Sequence, residues 1–217
     1  MIAVKMGATP EWSELEVLSR LKDSALLEER RRQLVQAATE VFFELGFDRA
    51  SVNDIAERCG WSVGGLYRYV RRKDDILFLV CTEIFRQIGP DALGTSASLD
   101  PSEQLRAAMT AYCQSISLHS RQVLLMYREF GRLPASARRY FMHLESELHN
   151  VFQQIVESGV AQGVFACDDP KLFAIDCVTR AQVLALKDWA LQPRPIRQTI
   201  DALVSWTLAS LIPQSPC

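Results

Sequence analysis

The chain of 217 residues has no apolar run approaching the roughly 20 residues that a membrane-spanning helix needs. Its opening stretch, MIAVKMGATPEW, lacks the apolar core of a secretory signal. Both absences point to the cytoplasm. The six cysteines (Cys59, Cys81, Cys113, Cys167, Cys177 and Cys217) form no CxxC pair and no metal-finger spacing. In a reducing compartment they read as small buried hydrophobes. No P-loop or dinucleotide fingerprint occurs. Sustained alternation of β-branched residues between turn signals is missing too, so strands are not expected and the fold class is all-α.

What is present is ordinary globular composition, 48% apolar and 23% charged, with length enough for one large or two small domains. The charge is unevenly placed. The net value is −2, yet Arg58 to Lys73 holds five basic side chains and no acidic one, leaving −7 for the remainder. A local basic patch on an otherwise acidic protein suits a surface that contacts phosphates.

Apolar spacing and turn signals place about nine helices. Residues 1–22 read as an N-terminal extension, with Trp12, Leu15 and Leu18 at helical spacing but no obvious cap. The first helix covers Ala25–Leu45; Gly46 supplies a terminator and Phe47 can fold back on its last turn. Ser51 opens the second, where its hydroxyl can accept from the Asp54 N–H, and Gly60 closes it. Ser62 can cap a third over Val63–Val70, with Val63 and Leu66 turned to the core. Ala56 is small enough for these two helices to cross closely. A fourth helix follows to Ile88. Later ones cover about 101–118, 121–132, 135–162, 170–191 and 196–212, with Asp100–Pro101 and Asp169–Pro170 as starts and Gly163 as a stop. The domains expected from this order are 23–73, a helix-turn-helix DNA-binding unit, and 74–217, a second helical unit.

The segment RRRQLVQAATEVFFELGFDRASVNDIAERCGWSVGGLYRYVRRKDDIL resembles the helix-turn-helix domain of the TetR family of transcriptional regulators. The likeness rests on Gly46-Phe47, Ser51-Val52, Ile55-Ala56, Gly60-Trp61-Ser62, Gly65-Leu66-Tyr67 and Lys73 with the acids after it. It implies a homodimer, a double-stranded DNA operator, and a helical C-terminal domain that binds a small effector and releases DNA. No cofactor is implied. Two positions depart from the family pattern, Val70 in place of an aromatic and Arg72 in place of a serine.

A recognition helix in the major groove presents its N-terminal residues to base edges. On resemblance and local chemistry, Tyr67 and Lys73 are expected to contact phosphates, as is Ser51 at a helix start. Trp61 and Tyr69 can press on the sugar–phosphate wall, or Trp61 can simply pack the domain. Gly65 lets the backbone come close, and Arg72 adds a phosphate-seeking charge. Ser62, Gly64 and Arg68 are the candidates for base contact, Arg68 foremost because a guanidinium can bond guanine O6 and N7 together.

Among the later helices, Met109, Tyr112, Met126, Tyr127, Phe130 and Phe141 are apolar candidates for an effector cavity. His119, Arg128, Glu129 and Arg180 can orient a ligand head group, and Arg180 can equally pair with Glu129 or Asp176. The stretch YREFGRLPASARRYFMHLESEL resembles effector domains of TetR regulators of lipid and acyl-CoA metabolism. The apolar faces of the last two helices are the expected dimer interface. Two rival readings exist. A helical metal-dependent enzyme would use His143 with Glu147 or Glu145 with His149, and an adaptor would bind a partner through the last two helices.

Overall fold

In a computed structural model of the chain, which describes residues 24–93 and 99–211, every regular element is helical. The expectations for residues 1–22 lie outside the described residues. Among the described residues ten α-helices follow in order: α1 Ser24–Leu45, α2 Val52–Cys59, α3 Val63–Leu66, α4 Lys73–Ile88, α5 Pro101–Leu118, α6 Ser120–Glu129, α7 Ala135–Ala161, α8 Pro170–Leu186, α9 Asp188–Leu191 and α10 Ile196–Ala209. Single 3-10 turns occupy Pro90–Leu93 and Phe130–Arg132. Where one long eighth helix is expected, the chain breaks at Lys187 (φ −129°, ψ 26°) and resumes as the short α9. The break comes six residues before Pro193; nothing in the local sequence marks it.

The chain divides into two compact units. One combines the residues up to Ile84 with Leu125–Met142, and the other combines Phe85–Leu124 with the residues from His143 onward.

In the first unit α4 is the central element. Its sequence suggests one apolar stripe, but Ile76, Leu77, Phe78, Leu79, Val80 and Cys81 are all buried, so the helix is surrounded on every side. Phe78 packs on Phe141 at 5.3 Å and on Tyr140 at 5.7 Å between ring centroids. α1 contributes Leu34, Ala38, Val41 and Phe42 from one face. Gly46 ends it at φ 77°, with its N–H on the Phe42 carbonyl, and Phe47 folds back on Phe42 at 5.3 Å.

In the second unit α5 packs against both α8 and α10. Its buried residues Leu105, Ala108, Met109, Tyr112, Cys113 and Ile116 repeat at helical spacing. Desolvation pushes the thiols of Cys113 and Cys177 up to about 12, which keeps them protonated and unreactive. The apolar face of α10 that the sequence reserves for a dimer is mostly used inside the unit: Ile200, Leu203, Val204 and Thr207 are buried. What remains exposed is Leu172 and Ile175 on α8, with Ile196 and Trp206 on α10.

The turn after α7 depends on two glycines. Gly163 takes φ 71°. Gly159 has no side chain because the buried ring of Phe165 lies against it, and a Cβ there would fall within the ring's van der Waals envelope. Gly159→Ala is expected to destabilise the protein by about 1–3 kcal/mol, the cost of overpacking a close contact. Urea unfolding that matches wild type would show that the ring moves aside freely.

Candidate nucleic-acid interface

Each of the two reader helices is started by a serine. Ser51 stands in extended conformation before α2; its Oγ accepts the Asp54 N–H at 3.1 Å and donates to the Asp54 carboxylate at 2.7 Å. That carboxylate also accepts the Ser51 N–H at 2.8 Å, completing a reciprocal cap. The Ser51 hydroxyl bond and then the backbone bond hold the Asp54 pKa below its ordinary 3.8. At the other end Gly60 adopts φ 69°, and the N–H groups of Gly60 and Trp61 return to the carbonyls of Glu57 and Ala56. Ser62 then caps α3, accepting the Gly65 N–H at 3.1 Å. The turn between helices is thus Gly60-Trp61-Ser62, short enough to force a steep crossing.

α3 is shorter than the sequence suggests. After Leu66 the ladder becomes irregular, with i+3 bonds from Arg68 N–H to Gly65 and Tyr69 N–H to Leu66 beside a long i+4 bond from Val70 N–H to Leu66 at 3.3 Å. Two adjacent glycines favour helix poorly, so the four-bond ladder is not sustained. Ile55, Ala56 and Leu66 form the buried seam, whereas Val63, expected there, lies at the surface. Val70, the departure from the family aromatic, is buried and fills its place.

The two glycines are needed for different reasons. A Cβ on Gly65 would stand 3.0 Å from the Ser62 Oγ and crowd the cap. A Cβ on Gly64 would meet nothing within 4 Å, so its bare backbone faces outward. Tyr67 is 51% exposed, and Ser62, Arg68, Arg71 and Arg72 are exposed beside it. Arg71 was not among the sequence candidates; the basic run Arg71-Arg72-Lys73 was the signal for it. Trp61 and Tyr69 pack at 5.2 Å between centroids, and the Arg30 guanidinium lies 5.2 Å above the Trp61 ring. Trp61 therefore packs the domain and, half-buried, still carries one edge of the surface.

The five charges of the basic stretch divide by role. Arg58 bonds Glu40 at 2.9 Å and Glu44 at 2.8 Å, tying α2 to α1, and these carboxylates raise its pKa further, Glu44 foremost. Lys73 does not reach outward as expected. Its ammonium donates to the carbonyls of Phe47 (2.6 Å), Asp48 (3.3 Å) and Ala50 (2.9 Å) and lies 4.4 Å from the Phe47 ring centre. All three of its protons are engaged, because the carbonyls of the turn after α1 have no helical partner and need donors. Arg71 and Arg72 both send their backbone N–H to the buried Asp75 carboxylate at 2.9 Å, which leaves their side chains at the surface.

The effector candidates fall into both compact units. In the first, Phe141 and Met126 are buried, Phe130 is half-buried 6.5 Å from Phe141, and Tyr127 is exposed. In the second, Met109 and Tyr112 are core residues, Tyr112 lying edge-on to Phe152 at 6.1 Å. Arg180 pairs with Asp176 one turn away at 2.5 Å, one of the two partnerships the sequence offers. Arg128 and Glu129, candidate head-group residues, are instead engaged with the end of α1. His143 with Glu147 and Glu145 with His149 stay as pairs on α7. Among the described residues no three His, Cys, Asp or Glu side chains gather to hold a metal ion, and no helix is long and apolar enough to cross a membrane.

Comparison with known proteins bears on this geometry. Residues 34–80 match the family described as bacterial regulatory proteins, tetR family, and residues 98–180 match a tetracyclin repressor-like C-terminal domain. The chain is 30% identical over 179 residues to the HTH-type transcriptional regulator HbdR of Aromatoleum sp. (strain CIB), covering 82% of this chain and 78% of that one. It is 28% identical over 145 residues to the HTH-type transcriptional repressor KstR2 of Rhodococcus jostii (strain RHA1), covering 64% and 69%. In structure it resembles AibR, solved with isovaleryl coenzyme A and operator DNA, with a TM-score of 0.69 at 20% identity, covering 82% of this chain and 97% of that one.

The reciprocal cap on α2 has a pH signature. A carboxylate whose folded pKa is depressed contributes stability above its unfolded value and loses it as pH falls through the folded one. Asp54→Asn is expected to matter at neutral pH and to fade as pH falls below the ordinary 3.8 toward the lower folded value. Ser51→Ala removes the hydroxyl at a cost of about 0.5–2 kcal/mol. Thermal unfolding from pH 3 to pH 7 checks both, and an Asp54→Asn effect that is constant with pH counts against the cap.

Proposed function

The chain belongs to the TetR family of bacterial regulatory proteins, and on that footing we propose that it is a homodimeric transcriptional repressor, released from its operator by a small amphipathic effector. The observation that carries the DNA-binding part is the pair of serine-capped helices around Gly60-Trp61-Ser62, with Gly64, Tyr67 and Arg68 outward and Arg71 and Arg72 beside them. A reader of this kind is a binding surface and not a catalytic centre, and it acts where the chromosome is, in the cytoplasm.

Roles within the surface follow from chemistry. The Tyr67 hydroxyl and the Arg71 and Arg72 guanidiniums suit phosphate oxygens, which set register without reading sequence. The N-terminus of α2, beside Ser51, offers a positive dipole end to another phosphate. Trp61 and Tyr69, stacked on one another, make a stiff wall for the sugars. Ser62, Gly64 and Gly65 keep the start of α3 slim enough to approach base edges, and Arg68 reads a base. Lys73 contributes by shaping the turn before α2. The dimer seam falls on α8 and α10, where Leu172, Ile175, Ile196 and Trp206 remain exposed.

Duplexes selected from a randomised pool by the purified protein test this reading. Arg68→Ala is expected to cost about 1–3 kcal/mol on the selected site and to relax preference at one position. Tyr67→Phe is expected to weaken all duplexes alike. Binding should fall steeply with salt, with a slope that reports the number of neutralised phosphates. A wild-type protein that enriches no sequence defeats the proposal.

For the effector we take a coenzyme A thioester of a short or branched acid as the first candidate. The support is the AibR complex together with the likeness of the stretch YREFGRLPASARRYFMHLESEL to effector domains of regulators of acyl-CoA metabolism. A matching acyl-CoA should raise the melting temperature and release the selected duplex at micromolar concentration. A panel of acyl-CoAs that does neither removes this class of effector.

A further inference from the structure

Four charged side chains meet at the turn Gly46–Ala50, which joins α1 to α2. Lys73 donates to three of its carbonyls, as described. The Arg128 guanidinium donates to the Phe42 carbonyl in the last turn of α1 and, through Nε, to the Glu129 carboxylate at 2.8 Å. Glu129 is buried, and the same oxygen accepts the Phe47 N–H at 3.3 Å. Arg132 pairs with the Asp48 carboxylate at the surface. The start and middle of the turn are therefore held by residues more than 80 positions away in sequence, from the end of α6 and the 3-10 turn that follows, and its far end by Lys73.

We propose that Arg128 and Glu129 are positioning residues for DNA recognition: they set the direction in which α2 leaves α1, and through α2 the angle at which α3 meets DNA. This rests on the DNA-binding reading. The carboxylate has a reason to be buried there. It accepts a backbone N–H just past the end of α1 that is turned away from solvent, and the Arg128 charge offsets its desolvation. The guanidinium bonds a carbonyl of the last helical turn, at the negative end of the α1 dipole. Neither side chain belongs to the recognition surface, so their loss removes no contact with DNA. What changes is the alignment of groups that read bases, which weighs on specific binding and spares non-specific attraction to phosphates.

The test compares affinity for a duplex selected by the wild-type protein with that for a scrambled duplex, using full-length dimer and fluorescence anisotropy. Glu129→Ala and Arg128→Ala are each expected to lower the specific-to-scrambled ratio by about tenfold, with scrambled binding within about twofold of wild type. Glu129→Gln keeps an acceptor for the Phe47 N–H and should fall between. Arg132→Ala, which breaks an exposed pair, should stay within about twofold of wild type. A folded Glu129→Ala and a folded Arg128→Ala that both keep the wild-type ratio overturn the inference. If either alanine variant fails to fold, the double variant Arg128→Ala with Glu129→Gln decides, since it leaves no buried charge without its partner, and an unchanged ratio in it overturns the inference. A wild-type protein that selects no duplex overturns the DNA-binding reading and this inference together. That result is distinct from selection by wild type with unchanged variants.

Discussion

The reader depends on how the carbonyls of the turn after α1 are satisfied. A turn leaves its carbonyls without helical partners, and here the chain must also turn at once into α2. An ammonium solves this because it carries three donors on a compact head. Lys73 places all three on the turn, and the face of the Phe47 ring adds a favourable contact for the charge. With the turn fixed, Ser51 stands where its hydroxyl and the Asp54 side chain can start α2. Gly60 and Ser62 then set the next bend, so the orientation of α3 is inherited from the end of α1.

A second consequence concerns charge. Positive residues near a nucleic-acid surface serve two purposes that compete for the same side chains. Arg58 and Lys73 hold elements together, one through paired carboxylates and one through carbonyls, and Arg68, Arg71 and Arg72 remain exposed. The serine-to-arginine departure at 72 adds a charge at the surface. Arg72 cannot supply a serine's capping hydroxyl; the Asp75 N–H instead bonds the Arg72 carbonyl at 3.2 Å, and the Asp75 carboxylate accepts the Arg72 N–H.

In the second unit the same logic of supply and demand governs apolar surface. α5 takes up the buried faces of both α8 and α10, and little of the α10 stripe is left for another copy. Of the residues still exposed, Leu172 and Ile175 on α8 and Trp206 on α10 lie off the buried stripes, and Ile196 is the exposed first residue of the α10 stripe. A tightly packed α5 also explains why Met109 and Tyr112 read as pocket residues in sequence: large flexible and aromatic side chains at helical spacing serve a core as well as a cavity.

Local signals determined much of this protein from the sequence alone. Helix spacing, the serine caps at 51 and 62, the positive-φ glycines at 46, 60 and 163, and the aspartate-proline starts are short-range features, legible because their physics involves residues three or four apart. The tertiary structure alone decided the destinations of long side chains. Lys73 turns inward to a loop 23 residues and more away, Arg58 crosses to α1, Val63 comes to the surface, and Arg128 and Glu129 leave the expected pocket for the end of α1. The reason is the same in each case. A flexible charged side chain goes to whichever unsatisfied group packing brings within reach, and sequence spacing does not reveal which groups those are.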